Sequence, residues 1–278
     1  MDTLHFERYE YKYVVPEEQS EAIRRFIRPY VALDEHATGA PDRRYTIYNI
    51  YLDTPNLDLY QACVNDNVDR YKLRIRWYDH EANGPFFFEV KRKIRQVIVK
   101  DRARVSRDDF RALLRGEPLS IPEGRSLDNL TGFRSRMSLV GAAPMMLTRY
   151  TREPYESVFG EYARITLDRA MCWQPARGYD VPGDPRAWSY VDAAVATCGV
   201  RCAAVLELKF TRDFPRWMSD LIAEFDLQRI GYSKYVWSTT QRLDTAHGGR
   251  DFDRRAVHAG IPRSRASAAP MVPLPQPE

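Results

Sequence analysis

Residues 71–78 read YKLRIRWY, and within them Lys72, Arg74 and Arg76 alternate one for one with Leu73, Ile75 and Trp77. Successive side chains of a strand point to opposite faces, so this alternation describes a strand with one cationic and one apolar face. The pattern recurs in both directions along the chain. In residues 8–14, Arg8, Glu10 and Lys12 oppose Tyr9, Tyr11 and Tyr13. FFFEVKRK (86–93) sets Glu89, Lys91 and Lys93 against Phe88 and Val90, with Arg92 interrupting the apolar side. VKDRARV (99–105) sets Lys100, Arg102 and Arg104 against Val99, Ala103 and Val105. YARITLD (162–168) places Arg164, Thr166 and Asp168 opposite Ile165 and Leu167, and VLELKF (205–210) places Glu207 and Lys209 opposite Leu206, Leu208 and Phe210. Arg152 ends the Met-rich run PMMLTRYTR (144–152).

A solvated sheet face ordinarily mixes signs, because like charges on neighbouring strands destabilise the pairing. These faces instead hold thirteen bases and four acids (Glu10, Glu89, Asp168, Glu207), a balance of +9. Such a surface repels itself unless a polyanion sits against it. If the sheet closes into a barrel, one face must line the interior. The expectation is therefore an α+β fold, an antiparallel β tunnel barrel with a basic interior whose apolar outer face packs on amphipathic helices. Helices are expected in residues 16–31 (opened by Pro16), from the Ser106 cap with Asp109 through Leu114, within 125–140, in 213–229, and after a Ser233 cap. They read as outer supports around the sheet.

A tunnel of Arg and Lys suits a chain of phosphates, to which it donates charge-assisted hydrogen bonds from all sides. The few acids on these faces have two readings. Glu207, Glu10 and Glu89 are candidates to hold a hard divalent cation, Mg or Mn, bridging phosphates. Plain pairing with adjacent Lys or Arg is the other reading.

The 278 residues carry 42 Lys+Arg against 38 Asp+Glu, a net charge of only +4, and 44% of them are hydrophobic. That composition excludes disorder for most of the chain. No run approaches the roughly 18 apolar residues of a membrane span, and the N-terminus is charged where a signal peptide is apolar, so a cytoplasmic protein is expected. Cys198 and Cys202 have no nearby His to complete a zinc motif, and reduced thiols are the reading for all four Cys. Residues 1–244 read as one domain, and 245–278, rich in Ala, Pro and Arg, as a disordered tail carrying +2. With +9 on the tunnel faces, the rest of residues 1–244 holds −7, a strongly basic interior within an acidic exterior.

The ordered series EYKYVV, YLDTPNLDLY, YKLRIRWY, FFEVKRK, LTRYTREPYES, ARITLD, VLELKF and GYSKYVW resembles the VTC-type polyphosphate polymerase domain of the CYTH-like, triphosphate tunnel metalloenzyme superfamily, over nearly all of residues 6–240. The resemblance implies a metal-dependent transfer of the terminal phosphoryl of ATP to a polyphosphate chain. Residue by residue it implies that Lys12, Arg74, Arg76, Lys91, Lys100, Arg152, Arg164 and Lys209 line the phosphate path. Of these, Arg74, Arg76, Lys91 and Arg152 hold the reacting triphosphate, Glu207 is the principal metal ligand, and Lys234 closes one end of the tunnel. The charged faces add Lys72, Lys93, Arg102 and Arg104 to the phosphate-binding set. The hydrolytic branch opens with ExExK, a frame filled here by Arg8, Glu10 and Lys12, which favours the polymerase branch. Polymerase members carry an Arg shortly after the LDLY box, whereas this chain continues Gln61, Ala62, Cys63. Three alternatives stay open: an inorganic or nucleoside triphosphate hydrolase, a non-catalytic polyphosphate or pyrophosphate binder and, more weakly, a nucleic-acid binder.

Overall fold

The computed structural model describes residues 9–40, 42–95, 97–191, 203–211 and 213–246. Arg8, Cys198, Cys202 and residues 247–278 of the expected tail lie outside the described residues. In chain order the strands are β1 (Tyr9–Pro16), β2 (Val31–Leu33), β3 (Tyr45–Asp53), β4 (Asp69–Trp77), β5 (Phe86–Ile94), β6 (Val97–Val105), β7 (Ala143–Ser157), β8 (Ala163–Pro175), β9 (Ser189–Tyr190) and β10 (Ala203–Phe210). The helices are α1 (Ser20–Ile27), α2 (Glu35–Thr38), α3 (Asp58–Val64), α4 (Arg107–Arg115), α5 (Arg125–Val140), α6 (Arg216–Glu224) and α7 (Lys234–Ala246).

All ten strands belong to one antiparallel sheet in the order β1-β10-β8-β7-β3-β4-β5-β6, with β2 on β7 and β9 on β8. The fold class is the α+β tunnel expected, but closure differs. Among the described residues no ladder joins β1 to β6, so the tunnel is a curled sheet rather than a closed barrel. A side-chain pair spans the curl instead, with Lys91 Nζ of β5 2.8 Å from Glu10 Oε2 of β1.

Strand parity sorts the two faces as the alternation requires. Leu73, Ile75 and Trp77 turn outward and are fully buried with Phe110 of α4 and Leu130 and Phe133 of α5. Full burial of each such side chain contributes about 1.5–3 kcal/mol. Tyr13, Val15, Ile165, Leu206 and Leu208 turn outward on the other half, against Ile23 and Ile27 of α1 and Trp217, Met218 and Leu221 of α6. Ser106 caps α4 as expected, its Oγ accepting from Asp109 N at 3.0 Å.

Three helical details depart from the sequence reading. Pro16 ends β1 in an extended conformation, and a short 3-10 turn (Glu17–Gln19) precedes α1, so the helix opens at Ser20. α7 is not an outer support. Its Tyr235, Val236 and Trp237 pack with Ile47, Tyr51, Tyr150 and Val205 on the inner face of the curl, and Lys234 at its start lines the cavity. It also runs to Ala246, two residues past the expected domain boundary.

The YLDTPNLDLY box acts through Asp53, which is fully buried. Its carboxylate accepts the backbone N–H of Leu59 (2.9 Å) and Tyr60 (2.8 Å) at the start of α3, and the Tyr235 hydroxyl of α7 at 2.5 Å. One carboxylate therefore starts α3 and pins α7 to β3, since the first N–H groups of a helix need an acceptor. Among the described residues no helix is long and apolar enough to cross a membrane.

Candidate functional site

The inward faces enclose a cavity of about 1490 Å³. Its lining includes Glu10 and Lys12 from β1, Lys72, Arg74 and Arg76 from β4, Lys91 from β5, and Lys100 and Arg102 from β6. Arg152 of β7, Arg164 of β8, Glu207 and Lys209 of β10 and Lys234 of α7 also line it, and Asp34, Glu35, His36, Asp101, Arg125 and Glu156 border it as well. The register makes the crowding explicit: Lys72 pairs with Lys91, and Lys91 with Lys100, so three lysines are direct neighbours across three strands, their ammonium groups reaching Ser233, Glu10 and Glu89 respectively. Burial pushes all three below the ordinary lysine value, with neighbouring cations adding to the fall at each.

The tunnel wall divides into two halves, each built on buried carboxylate. On β4–β6, Glu89 is 0% exposed and meets Arg74 Nε at 2.5 Å, Arg76 Nε at 3.8 Å, Lys100 Nζ at 2.6 Å and Arg102 Nε at 2.7 Å. On the other half, Glu207 meets Lys209 Nζ at 2.7 Å, Lys234 Nζ at 3.0 Å, Arg152 Nη2 at 3.1 Å and Lys12 Nζ at 3.5 Å. Asp168 beside it takes a bidentate Arg152, both contacts 2.7 Å, and Lys234 Nζ at 2.6 Å. Glu10 bridges the halves, 3.0 Å from Lys12 and 2.8 Å from Lys91.

Burial pushes Glu89 and Glu207 up, but the surrounding cations outweigh it and hold both well below the usual carboxylate range. Lys209 moves the other way, burial bringing it to about 8 while Glu207 resists the fall. Lys234, buried between Asp168 and Glu207, is raised by those two carboxylates. Its ammonium also lies 4.5 Å from the Tyr150 ring centroid, with the Arg152 guanidinium at 5.4 Å from the same ring.

Of the sequence-predicted set, Lys93 and Arg104 share the inward parity but do not line the cavity. Lys93 stands beside the β5–β6 turn, and Arg104 is exposed, its backbone N–H bonded to Ser126 of α5. Glu89 lies beneath the lining rather than in it. Tyr45, Tyr51, Tyr78, Phe87 and Tyr150 line the cavity without having been singled out, and Ser233, expected only as a helix cap, lines it too. Tyr78 shares the parity of Arg76, and Phe87 that of Glu89, so alternation does send these two to the charged face, whereas Tyr45 and Tyr51 of β3 stand in a run with no alternating charge to mark its inward side. Ser233 accepts Lys72 Nζ at 2.9 Å as well as the Val236 N–H at 3.3 Å, so the α7 cap also fixes a tunnel lysine.

The carboxylates do not fit a resident divalent cation. Both oxygens of Glu207, Glu89 and Glu10 already face ammonium or guanidinium groups within 3.8 Å, and an added dication would meet those charges at contact distance. Among the described residues no group of three or more His, Cys, Asp or Glu side chains forms a metal-binding cluster. The second reading of these acids, ion pairing, is the geometry observed.

A family model described as VTC domain matches residues 7–242. No curated protein matches the chain. Among solved structures, a protein from Bacillus halodurans described as a putative adenylate cyclase is 15% identical, covering 85% of this chain and 98% of that one with a TM-score of 0.45. A protein from Pyrococcus horikoshii OT3 is 12% identical over 84% of this chain and 99% of that one, with a TM-score of 0.42. An adenylyl cyclase candidate from Hippeastrum, described as revealing a dominant triphosphatase activity, is 14% identical over 84% of this chain and 96% of that one, with a TM-score of 0.45.

Proposed function

The chain belongs to the VTC domain family, and from that premise we propose that it is a polyphosphate polymerase-like phosphotransferase, moving the terminal phosphoryl group of ATP onto a polyphosphate chain held in the tunnel. The observation that carries this reading is the row Lys72, Lys91 and Lys100, three like charges in register inside a cavity lined by further Arg and Lys. Glu10 and Glu89 meet two of these lysines but are each shared with other cations, so the row keeps an excess positive charge that favours a polyanion along it.

Arg74, Arg76 and Lys91 from one half and Arg152 from the other face the same lumen and hold the triphosphate in line with the acceptor. A terminal oxygen of the chain attacks the γ-phosphorus, the bond from that phosphorus to the β–γ bridging oxygen breaks, and ADP leaves. The attacking oxygen is already anionic near neutral pH, so no general base is needed. The side chains supply position and stabilise the charge that develops on the leaving diphosphate. No step runs through a resident metal. Mg or Mn enters with ATP and polyphosphate as their counter-ion.

Purified protein incubated with ATP and Mg or Mn tests the reading. ADP accompanied by a ladder of lengthening chains is expected, and Arg74→Ala should abolish the ladder. Release of orthophosphate alone would replace transfer by hydrolysis, and binding without turnover would make the tunnel a polyphosphate-binding module.

A further inference from the structure

We propose that Glu89 is a positioning residue, a permanent internal counter-ion that fixes Arg74, Arg76, Lys100 and Arg102 as one preformed array along the phosphate path. The inference rests on the reading of the tunnel as a polyphosphate site and goes beyond it by assigning a role to a side chain that cannot touch the substrate. Glu89 sits at the centre of a three-strand row in which Arg74, Glu89 and Arg102 are direct cross-strand neighbours. It is 0% exposed, and its two oxygens divide the work: Oε2 takes Arg74 and Arg76, Oε1 takes Lys100 and Arg102.

Arg74 and Arg102 donate to Glu89 through Nε, the nitrogen nearest the backbone, while Arg76 stands 3.8 Å from Glu89 and donates its Nε–H to Asn49 Oδ1 at 3.2 Å. The terminal Nη groups of each fork therefore lie farther along the side chain, on the lumen side. Two of the forks are steadied there by one hydroxyl, Tyr78, at 3.5 Å from Arg76 Nη1 and 3.2 Å from Arg102 Nη2. A guanidinium gripped at Nε and free to present its planar end is the geometry that recognises phosphate in bidentate fashion. Folding does not require this arrangement, since an apolar cluster of similar volume is usually at least as stable as a buried ionic one. Its place on the inward face, directly beneath a cavity lined by Arg and Lys, points to the ligand side.

The comparison with Glu153 separates this role from simple burial of charge. Glu153 is 2% exposed on the outward face of β7, with Arg24 Nε at 2.7 Å, Arg169 Nη1 at 2.9 Å and Arg44 Nε at 3.4 Å. It gathers a comparable number of cations, but none of the three lines the cavity. A structural carboxylate and a positioning carboxylate thus occur on opposite faces of one sheet.

The experiment is calorimetric titration of the full chain with inorganic tripolyphosphate in EDTA, using wild type, Glu89→Gln, Glu89→Asp and Glu153→Gln. Glu89→Gln removes a negative charge that Lys100, losing the carboxylate that keeps it charged, offsets by releasing a proton, so electrostatics alone would leave binding near that of wild type; a positioning role predicts at least tenfold weaker binding, partly restored in Glu89→Asp. Glu153→Gln should melt earlier yet bind as wild type does. Equal or tighter binding by Glu89→Gln, or a loss seen only when Mn is added, overturns the proposal. If Glu89→Gln does not fold, Glu89→Asp decides alone: it keeps the charge but draws the anchor back by one methylene, and unchanged affinity would overturn the proposal. Failure of the wild type to bind tripolyphosphate would instead remove the functional reading itself.

Discussion

The two halves of the tunnel wall solve the same electrostatic problem differently. On β4–β6 one carboxylate, Glu89, serves four cations, which leaves an excess of three positive charges on three neighbouring strands. Across the lumen two carboxylates, Glu207 and Asp168, serve Lys12, Arg152, Lys209 and Lys234, drawn from four different elements. The first half is an array with charge to spare for a ligand. The second is closer to neutral and ties α7 to the sheet through Lys234, so its ion pairs serve the fold as well as the phosphate path.

That contrast can be broken in several places. Arg152→Ala should have the largest effect on stability, because it strips Asp168 of its bidentate partner and leaves a buried carboxylate on Lys234 alone; a cost of about 3–5 kcal/mol is expected in a denaturant melt. Arg74→Ala leaves Glu89 three partners and should melt close to wild type. Its penalty should fall on transfer instead, with kcat/KM lower by about 2–4 kcal/mol, or roughly 30- to 900-fold, in a steady-state assay. Similar melts for the two variants would mean that the halves do not differ.

The lysine values set a pH dependence of smaller size. Lys209 has been brought down to about 8 by burial, so it is protonated and able to bind phosphate below that value and loses its charge above it. Tripolyphosphate affinity should therefore fall by up to about tenfold between pH 7 and 9, and the slope should flatten in Lys209→Gln. An ordinary exposed lysine would give no change over that range. The smallest effect is expected from Glu207→Gln in EDTA. Asp168 still holds Arg152 and Lys234 in that variant, and Lys209, losing the carboxylate that keeps it charged, releases a proton in compensation. Affinity should then change by less than about threefold, against the tenfold loss expected for Glu89→Gln.

The sheet was legible because parity is a local property: Leu73, Ile75 and Trp77 need only their own alternation with Lys72, Arg74 and Arg76 to be sent to the outer core. The α4 cap at Ser106 was legible for the same reason. Depth along the tunnel was not, and Lys93 and Arg104 have the right parity while lying beyond the cavity. Pairing was not legible either. Whether Glu89 meets a metal or four cations depends on the registers of β4 and β6 against β5, set by turns and packing far from residue 89. An amphipathic pattern likewise says that α7 has an apolar face without saying on which side of the sheet it docks. The inward position follows from Tyr235 reaching Asp53, a contact between residues 182 positions apart.

This protein's own cations, arrayed on internal carboxylates, are what make the tunnel a polyanion site. Titration of the wild-type chain with tripolyphosphate in EDTA, at low and at high salt, tests it most directly. One tripolyphosphate per chain should bind without any divalent ion, and binding should weaken steeply as salt is raised. Binding that is absent until Mg or Mn is supplied, or that is indifferent to salt, would contradict it.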